Sequence, residues 1–214
     1  GASLESISLP GTLTEIGDSA FEDCTKLKAI DIPESVTTIG VSSFEGCTGL
    51  KTVKVPDSVV DLGGYAFKDC TGLTSVYISS NVKTIGDRTF LGCTGLTSVV
   101  LPEGLERINY WAFYSCSALQ SIHLPDSITV MQEGVFAGCT KLASVNFPVS
   151  WTIKEDTAYS HQSPFAGCTG LKTMNVPEGV TKIPDRAFYG ASLESISLPG
   201  TLTEIGDSAF EDCT

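Results

Sequence analysis

Positive charge is scarce in this sequence: 13 Lys and Arg stand against 25 Asp and Glu, a formal net charge of −12 over 214 residues. A duplex-binding protein neutralises several phosphates with cations, and a chain this acidic would repel the phosphate backbone, so nucleic acid is not an expected partner. Long apolar runs are absent too. Pro, Gly, Asp or Lys breaks every hydrophobic stretch well short of the roughly 18 residues that a bilayer span needs, and no membrane span is expected. Gly1 opens the chain in place of Met, with no basic stretch leading into an apolar core, so any secretory leader is expected outside residues 1–214. Only two histidines occur, His123 and His161, separated by more than one repeat unit, whereas zinc wants three or four converging ligands and a Ser or Cys nucleophile wants a neighbouring base. No G-x-x-x-x-G-K-[ST], H-E-x-x-H, G-x-S-x-G or C-x-x-C motif is present, so neither enzymatic activity nor a cofactor or metal is expected. Asn81, Asn109, Asn146 and Asn175 all lack Ser or Thr two residues on, which excludes N-linked glycan at a sequon and leaves O-linked sugar on Ser and Thr open.

What the sequence does have is hydrophobic material in a strict order. The 42% hydrophobic and 18% charged fractions lie outside the disordered regime. Phe21, Phe44, Phe67, Phe90, Phe113 and Phe136 recur with a constant period of 23, and steps of 29, 23 and 22 lead on to Phe165, Phe188 and Phe210. One unit is therefore written nine times. Leu27 to Thr48 shows it as L-x-x-I-x-I-P-x-x-V-x-x-I-G-x-x-x-F-x-x-C-T. The x-I-x-I core alternates with period two, the pattern of a short strand with one buried face. Pro follows it at 10, 33, 56, 102, 125, 148, 177 and 199, with Ser79 the exception, and a residue without an N–H ends the strand. Gly17, Gly40, Gly63, Gly86 and Gly206, with Asn109 in the same column, suggest a positive φ at the turn, although Pro184 in that column cannot adopt one.

A unit this short cannot bury its apolar face alone, whereas stacked copies can. The expected fold is a repeat solenoid, leucine-rich-repeat-like, with a parallel β-sheet on one face and short helical or irregular returns. Segments such as IDIPESVTTIGVSSFEGCTGL (30–50) and VPEGVTKIPDRAFYGASL (176–193) resemble the BspA-like, Treponema-type leucine-rich repeats, and the resemblance covers essentially the whole chain. It implies a cell-surface or secreted protein of the adhesion and host- or matrix-binding kind, with no enzymatic role conferred by the repeat.

Residues 1–25, GASLESISLPGTLTEIGDSAFEDCT, recur letter for letter at 190–214. The offset of 189 spans eight units, so 1–214 reads as a single solenoid of about nine coils of 22–29 residues: 1–189 is one eight-coil module, and 190–214 is the identical start of the next. Neither end carries a polar capping segment. The duplication fits an excerpt from a longer tandem array, or a chain engineered so that its ends match. Either favours end-to-end continuation.

Eight cysteines, Cys24, Cys47, Cys70, Cys93, Cys116, Cys139, Cys168 and Cys213, each sit three residues after the repeat Phe, and Ala191 replaces the ninth. An Ala exchange suits a volume constraint and would orphan a disulfide partner, so these are expected to be reduced, buried core residues. Two strand columns point outward. One is nearly all small hydroxyl (Ala29, Thr52, Ser75, Ser98, Ser121, Ser144, Thr173, Ser195), and the other varies, with Tyr77, Val100 and His123 its least charged stretch. On the return side Tyr65, Arg88 and Trp111 share a column, an aromatic and cation–π patch with Tyr114 beside it. The long unit places six extra residues within 149–163, an expected bulging loop carrying Trp151, Tyr159 and His161. The primary expectation is an extracellular structural protein that forms an elongated fibre or filament by tandem or head-to-tail continuation, its partner being itself. The alternative is a cell-surface adhesin-type module whose candidate binding residues, Tyr77, Val100, His123, Trp151, Tyr159 and His161, hold a host, matrix or neighbouring-cell protein.

Overall fold

The computed structural model describes residues 3–151 and 163–213. Among them every regular element is a short strand and none is a helix, so none is long and apolar enough to cross a membrane. The coils are numbered 1 to 9 by their phenylalanines. The strands in chain order are Glu15–Ile16 (β1), Thr38–Ile39 (β2), Thr52–Lys54 (β3), Asp61–Leu62 (β4), Ser75–Tyr77 (β5), Thr84–Ile85 (β6), Ser98–Val100 (β7), Arg107–Ile108 (β8), Ser121–Ile122 (β9), Val130–Met131 (β10), Ser144–Val145 (β11), Thr173–Asn175 (β12), Lys182–Ile183 (β13), Ser195–Ser197 (β14) and Glu204–Ile205 (β15).

All pairing is parallel and joins equivalent positions of neighbouring coils: Thr52↔Ser75↔Ser98, for example, and Glu15↔Thr38↔Asp61. The solenoid expected from the repeat is thus observed, with a difference. Each typical coil contributes to two ladders, because the V-x-x-I stretch after the proline makes a second, two-residue strand whose Ile is buried. Among the described residues the ladders are interrupted: β4 does not pair β6 and β7 does not pair β9, and where the lengthened unit intervenes both lapse together, β11 not pairing β12 and β10 not pairing β13. The core runs on there, since Phe136 N–H donates to Pro164 O at 2.8 Å and the Phe136 and Phe165 rings stack at 5.8 Å.

The returns are tight turns rather than helical ones. Alternate N–H groups donate to the next coil: Ser19, Phe21 and Asp23 bond the carbonyls of Val41, Ser43 and Glu45 at 2.7–2.9 Å, and the triplet recurs from coil to coil. Left-handed residues make this possible. They fall two before the phenylalanine (Ser19, Ser42, Tyr65, Arg88, Trp111, Arg186, Ser208) and two after it (Asp23, Gly46, Asp69, Gly92), not in the Gly17/Gly40/Gly63/Gly86 column where the sequence suggested them. That column is glycine for another reason. A Cβ on Gly63 would lie 2.6 Å from Gly40 C and Val41 N of the coil beneath, closer than any packed carbon can sit. Ser79 shows how a coil turns without proline: its buried hydroxyl donates to Val59 O at 2.7 Å and accepts from Asn81 N at 3.1 Å, while Val82 N still reaches Ser79 O as Val36 N reaches Pro33 O.

Inside, nine phenylalanines form one column. Neighbouring ring centroids are 5.2–5.8 Å apart and nearly parallel from Phe21 to Phe210. The Leu, Ile and Val frame packs around them as a single continuous core. Two glycine substitutions separate close approach from conformational freedom. Gly63→Ala should destabilise by about 1–3 kcal/mol through overpacking, whereas Gly17→Ala, with nothing within 4 Å of its added methyl, should change stability by less than about 0.5 kcal/mol. Urea unfolding of the two variants checks this, and equal midpoints would contradict it.

Candidate functional site

The outward residues of the first ladder form two in-register columns on one face. Thr52, Ser75 and Ser98 stand in line, as do Ser121 with Ser144 and Thr173 with Ser195. Beside the hydroxyls lie Lys54, Tyr77 and Val100, paired position for position, with His123 exposed just past the end of β9. Tyr77 is 39% and Val100 59% exposed, so two large apolar side chains stand together on a flat sheet. Lys54 leans away from them onto Glu34 at 3.1 Å. Asn146, the next in the column, is engaged within the fold: its amide accepts from Leu124 N and donates to Leu124 O, both at 2.7 Å, standing in for a backbone pair. Tyr77, Val100 and His123 are therefore the exposed, least charged stretch of this face, with the hydroxyls of Ser75 and Ser98 alongside the first two. Val60, exposed on the second ladder, is a residue that the sequence reading misses, although an apolar residue in the column of Thr14, Thr37 and Lys83 was the available signal.

On the return side Arg88 is clasped between two rings. Its guanidinium lies 4.4 Å from the Trp111 ring centre and 5.3 Å from that of Tyr65, and Nη1 donates to the Tyr65 hydroxyl. All three hold left-handed backbone, φ 54–61°, which costs a non-glycine residue about 1–2 kcal/mol. The clasp and the inter-coil N–H bonds of these residues offset that cost, and all three are half-buried, as is Tyr114. The charge of Arg88 is turned inward to its neighbours, which makes the patch a brace more than an open contact.

Trp151 requires a correction. It is 4% exposed and packs on Phe147 with centroids 4.9 Å apart, edge-on to Phe165 and Phe188, with Nε1 donating to Met131 O at 3.4 Å. The reason lies in register: Trp151 follows Pro148 by three residues, as Val36 follows Pro33, and so takes the core position of the frame. Tyr159 and His161 fall outside the described residues.

The cysteines form a ladder along the core. Seven of the eight thiols reach the phenylalanine carbonyl of the coil before: Cys47 to Phe21, Cys70 to Phe44, Cys93 to Phe67, Cys116 to Phe90, Cys139 to Phe113, Cys168 to Phe136 and Cys213 to Phe188, at 3.1–3.2 Å. None is in a disulfide, and all are buried except Cys213, which is half-buried. Burial pushes up the thiols of Cys47, Cys70, Cys93, Cys116, Cys139 and Cys168, to about 12 for Cys47 and Cys168, which makes them poor nucleophiles and poor ligands. Among the described residues no group of three or more His, Cys, Asp or Glu is placed to hold a metal.

These thiols make stability depend on alkaline pH. A thiol raised on folding contributes in full below its unfolded value near 9 and loses that contribution as pH climbs toward the folded value, here from 9 to about 12 for Cys47 and Cys168. Each buried thiol adds a slope of about 1.4 kcal/mol per pH unit in that window. The urea midpoint should hold level from pH 6 to 8 and fall above 9, and Cys116→Ala should fall less steeply. Identical slopes for the two proteins would contradict the ladder's role.

A family model described as a BspA type leucine rich repeat region matches the chain in overlapping segments, residues 1–94, 61–164 and 150–214, with 6 copies. No curated protein matches the chain. Among solved structures, a leucine-rich repeat protein from Bacteroides ovatus is 31% identical over 99% of this chain with a TM-score of 0.73, and the chain spans 59% of that protein's length. The leucine rich repeat protein of T. pallidum is 32% identical, with 76% of each chain covered and a TM-score of 0.65. The pneumococcal vaccine antigen PcpA shares the fold at 20% identity, over 92% of this chain and 60% of its own, with a TM-score of 0.56.

Proposed function

Because the chain belongs to the BspA-type leucine-rich-repeat family, we propose that it is a cell-surface, adhesin-type solenoid that binds a protein partner on the face of its first strand ladder. The supporting observation is the adjacent, exposed pair Tyr77 and Val100, aligned by β5 and β7 beside the in-register hydroxyls of Thr52, Ser75 and Ser98. A parallel sheet braced from behind by a packed core loses little entropy on binding, and aromatic plus aliphatic side chains at its centre supply the desolvated anchor that interfaces concentrate their energy in. The surrounding Ser and Thr suit a polar rim, and they are also the acceptors for any O-linked sugar. No step of this reading uses a nucleophile or metal, so the activity is recognition rather than catalysis.

A second reading concerns length, and the identity of 1–25 with 190–214 favours it: the solenoid continues from module to module as an elongated filament. Eight coils at a strand spacing of about 4.8 Å give an axial repeat near 38 Å. Electron microscopy of the concentrated protein should show that repeat, and dispersed short rods at every concentration would count against it.

For the binding face, the expected outcome is that Tyr77→Ala with Val100→Asp weakens capture of a panel of purified matrix and host-surface proteins at least tenfold. Val60→Asp, equally exposed on the other ladder, should leave capture unchanged, and unfolding midpoints of both should stay near that of the parent. If the Tyr77/Val100 variant keeps full affinity for every panel member that the parent binds, or if the parent binds none, this reading fails.

A further inference from the structure

The two copies of GASLESISLPGTLTEIGDSAFEDCT occupy opposite ends of the described stack, and each shows the contacts of one side only. In coil 1 the sequence meets coil 2 from below: Ile16 O accepts from Gly40 N at 2.7 Å, Asp18 Oδ1 from Val41 N at 2.7 Å, Leu13 O from Ser35 Oγ at 2.7 Å and Phe21 O from the Cys47 thiol at 3.1 Å. In coil 9 the same sequence meets coil 8 from above: Thr201 Oγ1 donates to Val180 O at 2.9 Å, Asp207 N to Asp185 Oδ1 at 3.1 Å and the Cys213 thiol to Phe188 O at 3.2 Å. No atom is claimed by both of these sets. The shared glutamate makes the point most clearly, since Glu5 uses Oε2 for Lys28 and Glu194 uses Oε1 for Lys172, each at 3.2 Å. One carboxylate can serve a lysine above and a lysine below at once.

Among the described residues nothing is seated above coil 9. Ile16, roofed by coil 2, is 3% exposed, whereas its equivalent Ile205 is 51% exposed, and Leu198 stands exposed beside it. What fits on coil 9 is therefore already defined: it is the underside of coil 2, residues 26–48, which in this chain sits on an identical sequence.

We propose that two copies of this chain join by coil exchange: coil 9 of one copy takes the place of coil 1 beneath coil 2 of the next, whose own residues 1–25 are released. This deepens the lengthwise reading above and is independent of the strand-face one. The exchange replaces one inter-coil interface by an identical one. It also covers the apolar roof of coil 9, at the cost of unfolding a terminal coil whose backbone regains conformational freedom. Concentration then decides between the closed and exchanged forms. The resident coil 1 competes at an effective concentration on the order of millimolar, so refolding near that concentration should populate both.

Asp207→Cys with Val41→Cys tests the junction, in a Cys24→Ala, Cys213→Ala background that removes the thiol released with residues 1–25 and the half-buried one. Residues 41 and 207 lie seven coil steps apart within one chain, about 34 Å, far beyond the roughly 7 Å between Cα atoms that a disulfide can span. In an exchanged junction they become neighbours, as Asp18 and Val41 are now. After refolding at high concentration and oxidation, the 41/207 protein should give a disulfide-linked ladder of oligomers at least tenfold more abundant than that of a 60/207 control, which collisions could join but exchange could not. An 18/41 protein should close within single chains and show that the site oxidises. Monomeric 41/207 protein beside a closed 18/41 control overturns the exchange, and so do equal ladders from 41/207 and 60/207. Filaments with the eight-coil axial repeat but no 41/207 link would overturn the exchange while leaving lengthwise continuation standing.

Discussion

Everything in this molecule depends on the hydrogen bond from one coil to the next. A parallel ladder holds adjacent coils about 4.8 Å apart, and that spacing dictates the rest. It lets phenylalanine rings stack at 5.2–5.8 Å, leaves no room for a Cβ at Gly40, Gly63 and Gly206 where the turn of one coil passes over another, and sets seven of the thiols against the carbonyl of the coil before. Polar side chains obey the same pitch, with Thr37, Thr74, Thr97 and Thr203 all donating to a carbonyl one coil away. The aromatic stack and the ladders reinforce each other through one translation, so a residue that violates it is felt in the neighbouring coil first.

A structure with one repeated translation has many equivalent positions but few that must be identical. The frame residues are fixed by burial. The outward columns are not, and there the chain can change from Lys54 to Tyr77 to Val100 without altering the fold. This is why the proposed recognition is sought in the variable column, while the architecture is carried by the constant one. Inter-coil ion pairs such as Lys54 with Glu34 and Lys182 with Glu204 are well exposed and contribute little to stability, whereas Lys68 with Glu45 is half-buried. They do dispose several of the few cations of an acidic surface so that these are already paired within the chain.

Much of this was legible in the sequence. Period two around x-I-x-I marks the first ladder, period 23 marks the stack, and the segments 30–50 and 176–193 carry the family. The second ladder is less legible, because two-residue strands leave no alternation to detect, and only the recurrent apolar residue before Gly40 or Gly86 marks them. The glycine column looks like a φ signal, whereas the left-handed positions carry Tyr65, Arg88 and Trp111, residues whose identity argues against that conformation; what places them there is the inter-coil N–H bond, a tertiary constraint. The sequence neighbours of Trp151 point to a loop, yet counting three residues on from Pro148 puts it in the core. The exposed pair Tyr77 and Val100 was legible because the strand register was.

If inter-coil bonding is the governing interaction, stability is a sum over neighbouring interfaces, highest where a coil is roofed on both sides and lowest at the ends. Native-state amide exchange, read residue by residue, measures this directly through the N–H groups that cross between coils. The account predicts strong and similar protection at Phe44, Phe67 and Phe90, whose N–H groups donate to Ala66, Thr89 and Ala112. It predicts a graded fall toward coils 1 and 9 and local dips between β7 and β9 and between β11 and β12, where the first ladder lapses. Uniform protection from end to end, or central coils that exchange as fast as the terminal ones, would contradict it.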